Sequence, residues 1–288
     1  MSLLLPERVP VTVYKWNDVG APSLNKTAGC VANILKSCLV TGYGTKAGAG
    51  WSLAFEDVPA NKKVLRAGVS QDQDFYIRLS SDTGREINPQ VYLDMTSIDA
   101  GNLKLQCATS FKYGAAVTTG KWTLIATARG FWFFAETSKF NSNPIETSGS
   151  YIYCGDTGNN TVGAKGIYLM HTGGSWDITD GNRSPIMTNL SNYGNSNGKI
   201  YMPATESVLE VNPSSYFNGI SKITTNSVAS SLFVIAGSEI WSLPALLPSN
   251  ATKLNYDAVQ VGGVSCVNHS TGASTPNNMY VPVDYWEL

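Results

Sequence analysis

Runs of strand length and strand period recur from one end of this chain to the other, and only one stretch has the period of a helix. Val11-Thr-Val-Tyr-Lys-Trp16 alternates apolar and polar positions and stops at Asn17-Asp18-Val19-Gly20, which is turn chemistry. Trp51 to Phe55, Lys63 to Arg66, Phe75 to Leu79 and Val91 to Met95 follow, separated by turn-rich pieces such as Ser81-Asp82-Thr83-Gly84. Parallel strands need a long crossover, usually helical, and no helical pattern lies between these runs. The chain therefore reads as mainly β, an antiparallel β-sandwich or barrel-like architecture with one short helix near residues 28–40.

That helix rests on Val31, Ile34, Leu35, Cys38 and Leu39, the i, i+3, i+4, i+7, i+8 series of one face. Thr27 is the expected N-cap and Gly42 the expected stop. A helix this short is marginal alone, so its apolar face has to dock on a sheet. Four glycines in the nine residues from Gly42 to Gly50 then hand the chain to Trp51, whose strand is expected to turn Trp51, Leu53 and Phe55 inward. The stretch superficially resembles a phosphate loop. A P-loop, however, runs from strand to helix and ends in Gly-Lys-Ser/Thr, whereas here the order is helix, glycines, strand, and Ala47 follows Lys46.

Trp122 to Thr127 and Phe131 to Phe134, joined around Ala128-Arg129-Gly130, form the clearest hairpin. Four consecutive aromatics imply burial on both faces, in the core or at a subunit contact. Beyond Pro144, strand-like pieces at Tyr151–Cys154, Gly166–Met170, Lys199–Met202, Ser207–Val211 and Leu232–Ile235 are separated by Gly/Asn/Ser tracts. Pro244 and Pro248 make Ile240–Leu247 read as a packed loop, and the proline in Met279–Val283 makes it an edge-type strand. No internal repeat or linker composition appears, so 1–288 reads as one unit. The alternative is a division near residue 145, into a β domain with the helix (1–145) and a loop-rich β region (146–288).

Composition excludes several functions. Twenty basic residues oppose 21 acidic ones, for a net charge of -1, so no field favours nucleic acid or an anionic membrane. Only 14% of residues are charged; amides and hydroxyls must solvate much of the surface, as in extracellular β-proteins, adhesins and virus particle proteins. Cys30, Cys38, Cys107, Cys154 and Cys266 are scattered and odd in number, which points to buried thiols and not a disulfide framework. The start carries no positive region ahead of its short apolar run, so no secretion signal is expected. No apolar run approaches the roughly 18 residues of a membrane span.

Candidate chemistry is sparse. His171 and His269 are the only histidines, and neither sits in a metal or triad spacing. Asp72 with Asp74, or Asp177 with Asp180 beside Trp176, are the carboxylate pairs closest to a glycosidase arrangement. Gly155–Asn160 and Asp177–Asn182 offer oxygen ligands but lack the calcium-loop ladder and read as solvated turns. Trp16, Trp51, Trp122, Trp132, Trp176, Trp241 and Trp286 mostly lie within strand patterns, as core or interface anchors. No catalytic, cofactor-binding or metal-ligating residue is assigned, no cofactor is called for, and the chain reads as no enzyme.

Val11-Thr-Val-Tyr-Lys-Trp-Asn-Asp-Val-Gly-Ala-Pro, Asn33-Ile-Leu-Lys-Ser-Cys-Leu-Val, Gly42-Tyr-Gly-Thr-Lys-Ala-Gly-Ala-Gly-Trp-Ser and Trp122-Thr-Leu-Ile-Ala-Thr-Ala-Arg-Gly-Phe-Trp-Phe together resemble a group of virion structural proteins of tailed bacteriophages. The resemblance is densest over residues 10–136 and extends to Gly237–Leu246, where Ser242 and Ala245 depart from the pattern, and to the terminal strand. It implies a non-enzymatic particle component of tail, baseplate or capsid, made and assembled in the bacterial cytoplasm. Its implied partners are copies of itself, with Trp132 or Trp286 as interface anchors, and other virion proteins, with no nucleic acid and no membrane. The alternative is a receptor- or glycan-binding module at the tail tip that reads host glycan through the loops of residues 155–198.

Overall fold

The computed structural model describes residues 8–68, 74–84, 86–107, 110–112, 120–136, 149–159, 165–171, 197–223, 228–236, 239–248, 258–270 and 278–287. The chain opens with β1 (Arg8–Pro10) and β2 (Thr12–Lys15) and then forms α1 (Cys30–Lys36), which passes into a π-helical turn over Ser37–Thr41. β3 (Ser52–Asp57), β4 (Lys62–Arg66), β5 (Tyr76–Ser80), β6 (Glu86–Ser97) and β7 (Ala100–Gln106) pair in that order, and β8 (Phe111–Lys112) adds to β6. After them come β9 (Trp122–Thr127), β10 (Gly130–Glu136), β11 (Gly149–Asn159), β12 (Lys165–His171), β13 (Asn197–Met202) and β14 (Ser207–Ile223). The last strands are β15 (Val228–Ala236), β16 (Glu239–Pro248), β17 (Ala258–Val261), β18 (Val264–Ser270), β19 (Asn278–Pro282) and β20 (Tyr285–Glu287).

Among the described residues every pairing is antiparallel, the arrangement that lets sequential neighbours such as β4 and β5 or β9 and β10 join by short connections. The larger sheet runs β17-β18-β19-β16-β15-β14-β13-β12-β11-β10-β9-β2. β16 also returns to β11, with Gly158 opposite Ser242 and Asn159 opposite Trp241, so the sheet curls back on itself. β10 and β11, on either side of residue 145, are neighbours in register from Gly130↔Gly155 to Glu136↔Gly149. β1 pairs separately with β20.

The aromatic hairpin divides two cores. Phe131 and Phe133 face one way, into a cluster with the helix residues Val31, Ile34, Leu35, Cys38 and Leu39 and with Leu65, Ile77 and Leu79 of the smaller sheet. Trp132 and Phe134 face the other way, onto Tyr151, Tyr153, Tyr168, Trp241 and Trp286 within the curl. All four are buried, because β10 is central and covered on both sides. The five cysteines are free thiols and buried.

The helix starts later than its periodicity implied. Gly29, at φ 84°, is the N-cap in place of Thr27, and no side chain of the cap residue bonds the first turn. The capping oxygen comes instead from Asp82, fifty residues on: the Ala32 amide donates to Oδ2 at 2.9 Å and the Gly84 amide to Oδ1 at 3.1 Å. A buried carboxylate thus accepts one of the donors that a helix start leaves unpaired. At the other end Gly42 sits at φ 72° and its amide donates to Ser37 O at 2.7 Å, closing the π turn. The wider turn leaves the Cys38 and Leu39 carbonyls to accept from Ala49 and Trp51 at 3.0 and 3.1 Å. Gly48 permits this approach, since a Cβ there would lie 2.3 Å from Val40 O.

Three strand expectations are corrected. A bulge between Leu53 and Phe55 sends Phe55 to the opposite face, against Val64, Tyr92 and Met95, while Trp51 and Leu53 join the first core. Ile240–Leu247 belongs to strand β16 and is not a loop; Pro244 falls at the register shift opposite Ser231 and Phe233, where the ladder needs no donor from it. Met279–Pro282 is no edge either, because β19 lies between β18 and β16 with Pro282 as its final residue.

Candidate functional site

The exposed surface feature best supported by its surroundings is the turn after β2. Trp16 and Val19 are 42% and 89% exposed, two apolar side chains within four residues. Asp18 holds the turn. Its Oδ2 accepts from the Lys15 amide at 2.7 Å, the Tyr43 hydroxyl at 2.9 Å and Lys46 Nζ at 2.6 Å. Tyr43 and Lys46 belong to the glycine stretch, where they exchange backbone hydrogen bonds of 3.0 and 2.9 Å across Gly44-Thr45. The Tyr14 hydroxyl donates to Ala47 O at 2.7 Å, and Tyr43 stacks edge-on against Trp122 at 6.3 Å. The Lys121 ammonium lies 5.7 Å from the Trp16 ring centroid, within cation–π range.

Burial works against the Asp18 carboxylate, but the bonds from Lys46, the Lys15 amide and Tyr43 outweigh it and hold its pKa below the usual carboxylate value. The Tyr43 hydroxyl is pushed up by burial, by the nearby Cys38 and by donating to Asp18, so it remains a donor at neutral pH. Carboxylate, hydroxyl and ammonium together make a fixed base from which the Trp16 turn projects.

The other candidates serve structure. Asp74 pairs with Arg66, whose guanidinium lies over the Tyr76 ring; Asp72, Trp176, Asp177 and Asp180 lie outside the described residues. His171 ends β12, buried beside Phe111. His269 is buried in β18 with its ring stacked on Phe134 at 3.7 Å, and burial followed by the charge of Lys15 lowers its pKa to about 3, so it is neutral at physiological pH. Gly155–Asn159 is strand and not a solvated turn, and Asp156 accepts both arms of Arg129 at 2.9 and 2.8 Å. Asp177–Asn182 lies outside the described residues. Among the described residues no three His, Cys, Asp or Glu side chains gather as a metal site, and no helix is long and apolar enough to cross a membrane.

No protein-family model and no curated protein matches the chain.

The two tryptophans expected as interface anchors are both interior. Trp132 stacks on Phe134 at 5.7 Å in a central strand, and Trp286 donates its indole N–H to Pro282 O at 3.1 Å beneath β1. Trp51 and Trp122 are buried as well, donating to Thr127 O and Pro22 O, each at 3.0 Å. Trp16 alone among the described tryptophans is strongly exposed. The sequence did carry a signal for this: Trp16 is the last residue of its run, directly before a four-residue turn.

Proposed function

We propose that this chain is a non-enzymatic structural component of a tailed-phage virion, assembling with copies of itself and with neighbouring particle proteins after synthesis in the bacterial cytoplasm. The observation that carries the reading is the Trp16–Val19 turn. It presents an exposed indole and an exposed valine on a base tied down through Asp18. A rigidly held aromatic makes a strong contact anchor, because little conformational entropy is lost when it is covered. The near-neutral charge and the resemblance over residues 10–136 support the same role.

The test is light scattering of the purified protein across micromolar concentrations, together with co-sedimentation on particles lacking this chain. Association or particle binding that weakens by about 30-fold in Trp16→Ala is the expected result, the loss of one hot-spot aromatic. A strictly monomeric protein that also fails to bind particles overturns the reading. The same exposed indole favours one other reading, a glycan-binding module at the tail tip, since a sugar face stacks on such a ring. Trp16-dependent binding to host glycans, without binding to particles, would replace the structural role.

A further inference from the structure

Among the described residues β2 is the last strand of the larger sheet, with β9 on one side and no further strand on the other. A free strand edge is a template for pairing with another chain. In β2 three outward-facing backbone groups, Val13 O and the amide and carbonyl of Lys15, are already engaged within the chain. Lys46 Nζ donates to Val13 O at 2.7 Å, the Lys15 amide donates to Asp18 Oδ2 at 2.7 Å, and Lys15 O accepts from the Asp18 amide at 3.1 Å, with the Tyr43 hydroxyl, whose proton goes to Asp18, 3.4 Å away. Asp18, Tyr43 and Lys46 are also bonded to one another, so the three act as one plug. Two of them flank a two-residue turn within the glycine stretch, and that stretch is anchored behind by the Cys38 and Leu39 carbonyls.

We propose that the Tyr43–Lys46 turn is an edge guard that keeps β2 from pairing with β2 of a second copy. The occupant it excludes is a second copy because two identical edges meeting antiparallel are related by a two-fold axis and satisfy each other's donors and acceptors symmetrically. Val13 O and the Lys15 amide, the groups such a pairing would use, are the groups the plug occupies. The glycines of residues 42–50 thus gain a purpose that helix termination alone does not give them: they bring Tyr43 and Lys46 back to Lys15 and Val13, 28 and 33 residues earlier in the chain, at the backbone edge beside Trp16. The inference is independent of any role in a particle.

The experiment uses the near-isosteric pair D18N/K46M in a Trp16→Ala background, which removes association through the Trp16 turn, so its outcome is separate from the test of that surface. The expected result is a protein with unchanged far-ultraviolet circular dichroism whose light-scattering mass doubles with concentration, while Trp16→Ala alone keeps its mass. Hydrogen exchange within residues 12–15, at the outward amides of Val13 and Lys15, should slow with concentration in the double variant, since the second copy pairs with that edge. Should D18N/K46M fail to fold, Lys46→Met alone frees Val13 O and leaves Asp18 bonded to Tyr43; concentration-dependent protection of residues 12–15 is expected there too. A folded variant that stays at the mass of its parent at every concentration, with exchange of residues 12–15 independent of concentration, overturns the proposal.

Discussion

The pair β2 and β9 carries a clamped turn at each end, and the two are built differently. At one end Asp18 and Lys46 hold the turn after β2; their side chains are 21% and 33% exposed, and Trp16 stands out beside them. At the other end Arg129 holds the turn between β9 and β10 with its side chain only 9% exposed. Arg129 donates twice to Asp156 and once to Gly68 O at 2.9 Å, and its guanidinium lies 5.3 Å from the Phe75 centroid. Trp51 and Gly68 donate to the Thr127 and Ala128 carbonyls of the same turn, joining the smaller sheet to the larger. A lysine suffices as a point charge where water shares the work. Away from water the planar fork of arginine can satisfy a carboxylate, a carbonyl and a ring together. The exposed turn presents a surface, whereas the buried one holds two sheets together.

The sharpest way to break this contrast is Arg129→Ala. It leaves Asp156 without two of its donors in the interior and should cost about 3–5 kcal/mol in denaturant unfolding, as removal of one member of a buried pair does. A loss near that of a surface pair would erase the distinction. Next, Gly42→Val attacks the base of the exposed turn: φ is 72° and a Cβ would lie 2.2 Å from Lys46 O. Thermal unfolding should report a loss of about 2 kcal/mol or more, from positive φ together with a backbone clash. Asp82→Ala removes a buried carboxylate that accepts backbone amides and should cost about 1–2 kcal/mol, the usual range for a lost helix cap.

Asp18→Asn should cost about 1 kcal/mol at neutral pH, in keeping with a partly buried charged hydrogen-bond hub. Its pH dependence has a definite sign. The folded-state pKa of Asp18 is depressed, so its contribution is present in full above the ordinary carboxylate value of about 3.9 and is lost as pH falls through the folded value. Melting temperatures of the parent and Asp18→Asn should therefore differ at pH 7 and converge in acid; a gap that widened below pH ~4 would contradict the direction of the shift. Smallest of all, Trp16→Ala should change unfolding free energy by no more than about 0.5 kcal/mol, because the ring lies at the surface outside the packed cores. A large loss would mean that the ring belongs to the fold and not to a surface.

Local order was legible in the amino-acid sequence because it follows from local rules. Alternation at Val11–Trp16 and Trp122–Thr127 marks strands, the 3.6-residue spacing from Val31 to Leu39 marks the helix face, and Gly42 marks a positive φ. The unbroken aromatic run Phe131–Phe134 even announced a strand covered on both sides. Partners remote in sequence were not legible. Asp82 caps a helix fifty residues away, Pro244 is accommodated by a bulge, and Trp132 and Trp286 go inside while Trp16 stays out. Periodicity states which face a residue takes on its own element, and burial of that face follows only when another element is placed over it. The glycine stretch shows the division most plainly. Its composition dictated a sharp reversal after the helix, but only the curled sheet, by ending at β2, put an open edge where Tyr43 and Lys46 could close it.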